Sequence, residues 1–320
     1  MLIFVLRRLV QAVFTIFGVM LLTFLLFRVI AGDISARYVN QKLGQEARIA
    51  WLERHRMDLP MVVNPDAPWQ VWRRDFWNTQ FFWHLRESAT FESRSFKTEQ
   101  RLLDIIAQKA RFSLSLTVPA MAMGWALALL IASLVAYFRG TWLDHVVTFV
   151  AVLGMCIPYL AYMIGVQWLM FQIRPTAAWG LRHHFNIYLP VAISVIAGVG
   201  ASVRFYRTVI LDETNRDYVR TALAKGVPLP GVLFKHVLRN CMLPILTSVV
   251  TAIPFLIMGS LLLEQFFGIP GLGPLLLSSI NDRDIPIVTG LTFLTAALYT
   301  LLLLLTDILY AVFDPRIRLR

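Results

Sequence analysis

Long apolar runs separated by short polar connections dominate the chain. Six runs stand out, from about Leu9 to Ile30, Phe112 to Phe138, Val146 to Phe171, Ile187 to Tyr206, Cys241 to Leu263 and Pro286 to Phe313. A bilayer's hydrocarbon core is about 30 Å thick and takes about 20 apolar residues to cross as a helix. The pattern therefore predicts an all-α integral membrane protein with about six transmembrane helices. The first run follows Arg7 and Arg8 but is too long for a signal peptide and has no small-x-small cleavage site, so it reads as a retained helix. Pro119, Pro158 and Pro254 fall inside runs and mark expected kinks. Gly198, Gly200, Ala201 and Ser202 would let a neighbouring helix approach the fourth run closely.

Two polar stretches interrupt this pattern. Segment 31–111 is the least apolar part of the chain and carries Trp51, Trp69, Trp72, Trp77 and Trp83. Indole rings favour the membrane interface, and they also anchor protein partners, so this segment reads either as an interfacial loop or as a docking surface. The second stretch, about Arg207 to Asn240, is longer than an ordinary connection. Asp212, Glu213 and Asp217 come early and Lys225 late, as the dipole of one short helix prefers. Gly226 would end that helix in a left-handed conformation; Pro228 would enforce a turn, and Pro230 would open a second helix. The expected shape is a helix–turn–helix protrusion. Nucleic acid is not its expected partner, because it is tethered between two spans and mixes acids with its bases.

Composition agrees with lipid as the solvent: 58% of residues are hydrophobic and 15% charged, with a mean hydropathy of +0.64. A soluble chain of this kind would expose large apolar patches. The net charge of +11 is distributed asymmetrically. Arg7, Arg8, Arg139, Arg204, Arg207, Arg216, Arg220, Lys225, Lys235, Arg239, Arg316, Arg318 and Arg320 lie on one side, whereas the opposite short loops carry only Arg174, Arg182 and Arg283. The positive-inside rule then puts both termini and the 207–240 loop in the cytoplasm, and segment 31–111 outside. Cys156 lies within one apolar run and Cys241 begins another, which reads as two small apolar residues rather than a disulfide framework.

The run Asp217-Tyr218-Val219-Arg220-Thr221-Ala222-Leu223-Ala224-Lys225-Gly226 resembles the EAA-loop signature of binding-protein-dependent ABC importers. His236-Val237-Leu238-Arg239-Asn240 and Leu243-Pro244 resemble the oligopeptide, dipeptide and nickel permease branch. Agreement extends through Ser95-Phe96-Lys97-Thr98, Leu103-Asp104-Ile105-Ile106, Leu153-Gly154, Ile157-Pro158, Glu264 to Gly273, Asp284, Pro286 and Asp314-Pro315-Arg316. It covers nearly the whole chain in order and is weakest from Gly32 to Glu92. Where the general motif opens with Glu-Ala-Ala this chain has Arg220-Thr221-Ala222, and Arg239 stands at the usual proline position.

The resemblance implies a type I importer permease of MetI-like fold, with a peripheral first helix (1–30), an external segment (31–111), a five-helix core (112–313) and a tail (314–320). It implies as partners a second, homologous permease, two ATPase subunits or domains and an external substrate-binding protein, in the inner membrane. Tyr218, Arg220, Thr221, Ala222, Ala224, Lys225 and Gly226 would form the coupling element, with small residues for close docking and charges for orientation. Di- or oligopeptides are the expected cargo, with a nickel or metal-chelate importer, a membrane-embedded enzyme or a non-transporting ATPase anchor as alternatives.

No cofactor is expected in this chain. Gly268 to Gly273 has no following Lys-Ser/Thr, and no Gly-x-x-x-x-Gly-Lys-Ser/Thr run occurs, so ATP hydrolysis is assigned to separate subunits. His183-His184 alone makes a weak metal site, and neither a His-Glu-x-x-His nor a Gly-x-Ser-x-Gly run is present. Glu264, at the outer end of the fifth run, is a candidate gate or lumen residue, and Asp307 a structural partner for an arginine.

Overall fold

A computed structural model describes residues 2–30, 35–39, 44–64, 74–173, 185–258 and 260–313. Helices dominate them, with one isolated antiparallel bridge between Arg94 and Arg101. Among the described residues, five helices are long and apolar enough to span a membrane: Leu6–Arg28, Leu102–Tyr137, Ile187–Thr214, Leu229–Ile253 and Ile285–Ile308. A sixth candidate is the pair Trp142–Cys156 and Tyr159–Ile173, bent by 99°. The expected third span is thus broken. Pro158 disfavours helical backbone at the residue before it, and Ile157 is extended (φ −81°, ψ 122°), which ends one helix and starts the next. Large apolar side chains such as Phe14 (71% exposed) and Trp168 (63%) project from these helices, as a lipid solvent allows.

The chain divides into two compact units. The first comprises Met1–Lys109 and Pro274–Leu305, with Leu319–Arg320. Within it lie α1 (Leu2–Phe24), a π-helical turn (Leu25–Ile30), α2 (Ser35–Tyr38), α3 (Gly44–Arg54), a 3-10 turn (Arg74–Trp77) and α4 (Gln80–Thr90). It also holds the start of α5 (Leu102–Tyr137), which begins before the expected Phe112. Phe24 of α1 is buried and meets Phe81 of α4 edge-on at 5.1 Å. Trp51 is half-buried, stacks on Tyr38 at 5.6 Å and meets Phe96 edge-on at 5.5 Å. Trp69 and Trp72 lie outside the described residues.

Two stretches quoted for the family resemblance meet in this unit. Asp284 is buried and accepts the Ser95 hydroxyl and the Phe96 amide (3.0 Å), while Lys97 pairs with Asp282. The Ser95 hydroxyl in turn accepts the amides of Lys97 (3.2 Å) and Thr98 (3.0 Å), closing a tight turn. A side chain at Gly290 would collide with buried Leu102.

The second unit comprises Ala110–Gly273 with Thr306–Arg318. It contains the remainder of α5, then α6 (Trp142–Cys156), α7 (Tyr159–Ile173), α8 (Phe185–Thr214), α9 (Asp217–Ala224) and α10 (Leu229–Gly231). A π-helical turn (Val232–Val237), α11 (Leu238–Met258) and α12 (Leu261–Phe266) follow, and then the first residues of α13 (Leu272–Asp282). The last long helix, α14 (Ile285–Phe313), begins one residue before Pro286, and its end falls in this unit. The expected close approach in the fourth span occurs at Gly200, where a Cβ would stand 2.7 Å from the Ala151 carbonyl oxygen of α6. Gly198 has open space beside it instead. The expected fifth span, Cys241 to Leu263, is also interrupted: α11 ends at Met258, Ser260 is extended (φ −97°, ψ 93°), and Leu263 and Glu264 belong to α12.

Candidate functional site

The fourth span continues past Tyr206 to Thr214, so Asp212 and Glu213 end α8 rather than opening the short helix that follows. Of the three expected acids only Asp217 lies in the first turn of α9. Glu213 instead fixes the corner between the two helices. Its carboxylate accepts the Tyr218 hydroxyl at 3.0 Å and pairs with Arg216 at 3.7 Å. Burial, together with that carboxylate, pushes the Tyr218 phenol up to about 12.

At the other end of α9 the backbone forms a Schellman motif. The Gly226 amide donates to the Leu223 carbonyl (2.9 Å) and the Val227 amide to the Ala222 carbonyl (3.2 Å), with Gly226 at φ +80°. Pro228 is extended and starts α10 at Leu229, which puts Pro230 in the second rather than the first helical position. The chain then runs without a break through the π-helical turn into α11.

One face of this hairpin is tied down. Val219, Val232, Leu233 and Val237 are buried with Val203, Tyr206 and Ile210 of α8 and Ala132 and Ala136 of α5. Tyr218, Ala222 and Val227 pack against the same cluster. The other face is open: Arg220, Thr221, Ala224, Lys225 and Gly226 are exposed. The seven residues expected to act together are therefore divided, five pointing outward and two, Tyr218 and Ala222, holding the helix in place. Leu223 (44% exposed) and Leu229 (45%) extend the outward face and were absent from the expected set. Two leucines exposed on a loop between spans are the sequence signal that points to them.

A bidentate ion pair lies at the base of the hairpin's supporting helices. Arg207 of α8 donates from Nε and Nη2 to the two carboxylate oxygens of Asp144 in α6, at 2.8 and 2.9 Å. Asp144 also accepts the Gly140 amide at 3.0 Å. Counting Arg207 as a loop charge hid this role; an acid at the start of one apolar run and a base at the end of another was the available signal.

A groove of about 500 Å³ opens among α5, α8 and α11. Met121, Gly124, Ser194, Gly198, Ser202 and Ser248 are among its lining residues, and the lining contains no ionisable side chain other than Tyr206. The open space beside Gly198 belongs to this groove.

Glu264, the expected gate or lumen residue, is fully buried and lies outside the five spanning helices. One carboxylate oxygen accepts the Gly273 amide in the first turn of α13 at 3.0 Å. The other is buried without a hydrogen-bond partner. Burial drives this carboxyl above its ordinary range, against the contacts from Ser113 and Gly273. The Leu272 amide donates to Ser113 Oγ at 2.8 Å, and a Cβ at Gly271 would overlap both Glu264 and Ser113. Gly271 and Gly273 are therefore required by close packing, whereas Gly268 has open space beside it and a φ of +62°. His183-His184 lies outside the described residues.

The family described as binding-protein-dependent transport system inner membrane component matches residues 128–319. A Brucella abortus (strain 2308) protein named for a peptide transport system permease is 31% identical over 98% of both chains. The dipeptide transport system permease protein of Lactococcus lactis subsp. cremoris is 29% identical over 99% of both chains. That of Escherichia coli (strain K12) is likewise 29% identical, over 99% of both.

Proposed function

Because the chain belongs to the family of binding-protein-dependent transport system inner membrane components, we propose that it is the membrane permease of an ATP-driven importer of di- or oligopeptides. The cargo reading is supported by relatives that match end to end and are named for peptide or dipeptide transport. The observation that carries the coupling role is the division of the α9–α10 hairpin into a buried face and an exposed one. A lever needs both. Val219 and Val237 make the hairpin move with α5 and α8, while Arg220, Thr221, Leu223, Ala224, Lys225, Gly226 and Leu229 are free to enter a groove on an ATPase subunit.

In this reading two ATPase subunits or domains hydrolyse ATP, an external binding protein delivers the cargo, and a second, homologous permease supplies the other half of the path. Both termini and the hairpin face the cytoplasm, the 31–111 segment faces outside, and the membrane is the inner one. The groove among α5, α8 and α11 contributes to the path. Its small and hydroxyl-bearing lining offers hydrogen bonds but no fixed charge, which suits peptides of varied side chains. Alternating access would expose it to each side in turn.

The test is uptake of a labelled dipeptide and of labelled nickel by cells lacking this chain and by cells in which it is restored. Dipeptide uptake should require the chain and ATP, with nickel uptake unchanged. Dependence of nickel uptake alone would replace the peptide reading by a metal one.

A further inference from the structure

Within the first unit a cavity of about 220 Å³ is lined by residues of α1's π-helical end, of α3 and α4, and of the Glu92–Glu99 loop, together with the first residues of α14. Four arginines line it, and three are accounted for. Arg54 pairs with Glu99 at 3.2 Å, and Arg56 pairs with Glu87 at 3.4 Å while lying 3.3 Å above the Trp83 ring. Arg94 donates to the Glu99 carbonyl at 3.3 Å. Arg28 is different: its Nε and Nη1 are buried and have no hydrogen-bond partner. Glu87 attracts it through charge, but that carboxylate is engaged by Arg56.

Two guanidinium nitrogens buried with idle donors are costly, since they have left water without gaining an acceptor. Stable proteins give such a group an acceptor. Neighbouring His84 does not compete for one, because burial and the Arg28 charge push its imidazole down to about 4 and keep it neutral near pH 7. We propose that this cavity binds an oxyanion, a carboxylate or a phosphate, with Arg28 as its charged anchor. The volume sets the scale of the ligand. It is below the roughly 300–1,000 Å³ of sites for larger ligands, so one anionic group enters and a whole peptide does not. The inference rests on the cavity alone and is independent of the cargo.

The experiment is thermal unfolding of the full chain in phosphatidylcholine nanodiscs at constant ionic strength. Potassium phosphate, potassium acetate, or a dipeptide with either a free or an amidated C-terminus replaces potassium chloride. A parallel arm replaces part of the lipid by phosphatidylglycerol. At least one oxyanion should raise the midpoint saturably above chloride. Arg28→Gln should weaken that response about tenfold or more, and Arg28→Lys should keep part of it. The arm that responds identifies the source: free phosphate, a peptide carboxylate or a lipid headgroup. No response beyond chloride in the wild type overturns the proposal, and so does an equal response in Arg28→Gln. Should Arg28→Gln fail to fold, a wild-type affinity in Arg28→Lys overturns it as well.

Discussion

Asp144 and Arg207 join α6 to α8 through two parallel hydrogen bonds, 63 residues apart in sequence, with the carboxylate almost completely buried. The Arg207 side chain is 24% exposed, so a guanidinium left there without its partner regains water only in part. Asp144→Ala should therefore destabilise the protein by about 2–4 kcal/mol. Asp144→Asn still offers an oxygen to Arg207 or to the Gly140 amide and should cost less, about 1–3 kcal/mol. Replacing both members by apolar residues should recover much of the loss. Unfolding in detergent measures all three, and equal destabilisation by the single and double replacements would refute the ion-pair account.

At Gly226 the constraint is backbone conformation rather than space. Its φ of +80° suits glycine, yet a Cβ added there would meet nothing within 4 Å. A β-branched residue should strain the Schellman motif by about 1–2 kcal/mol. Uptake and co-purification of the ATPase should fall in the order glycine, asparagine, alanine, valine, with membrane insertion unchanged. Wild-type uptake with valine would remove the hairpin geometry from the mechanism.

The spans were legible because a 20-residue apolar run has few alternatives, and Gly226 because a left-handed helix end has few occupants. The breaks were less so. Pro119 stays inside α5 while Pro158 separates α6 from α7, and both look alike as prolines in apolar runs. What differs is packing further along the chain, which local sequence does not carry. The hairpin residues are legible as a motif, but the motif does not say which of them face inward; Tyr218 and Ala222, expected in the coupling set, are partly buried against the cluster that α5 and α8 help to build. The packing of Glu264 was not legible, because nothing local announces that Gly273 returns to its carboxylate.

That return gives a coupled prediction. Gly271→Ala places a methyl group against Glu264 and Ser113 and should cost about 1–3 kcal/mol. In a Glu264→Ala background the clash with the carboxylate is gone and only the Ser113 hydroxyl still crowds the methyl, so the two costs should add to less than their sum. A double-mutant cycle on unfolding free energy reads this directly; strict additivity would mean that Gly271 and Glu264 do not share the space described.

Leu223 and Leu229 separate docking from folding. Both are exposed, so Leu223→Ser and Leu229→Ser should each change stability by no more than about 0.5 kcal/mol. The same replacements should lower ATPase capture and uptake, because exposed apolar side chains at a docked surface contribute by leaving water. Undiminished capture by the double variant would confine the interface to Arg220, Thr221, Ala224, Lys225 and Gly226.

His84 predicts a dependence on pH. It is buried on α4 beside the Phe24 ring, with Thr23 Oγ1 at 3.5 Å, and its imidazole lies at about 4 rather than 6.5, through burial first and the Arg28 charge second. Between those values the unfolded chain takes up a proton that the folded chain refuses. Its contribution to stability is therefore fully present above about pH 6.5, falls on acidification, and is gone by about pH 4. The gap corresponds to roughly 3 kcal/mol. His84→Gln removes this titration, so the difference between the two proteins' stabilities should shrink or reverse as pH falls from 7 to 4. Unfolding midpoints taken across that range decide it, since parallel curves would place His84 in a site that accepts its proton freely.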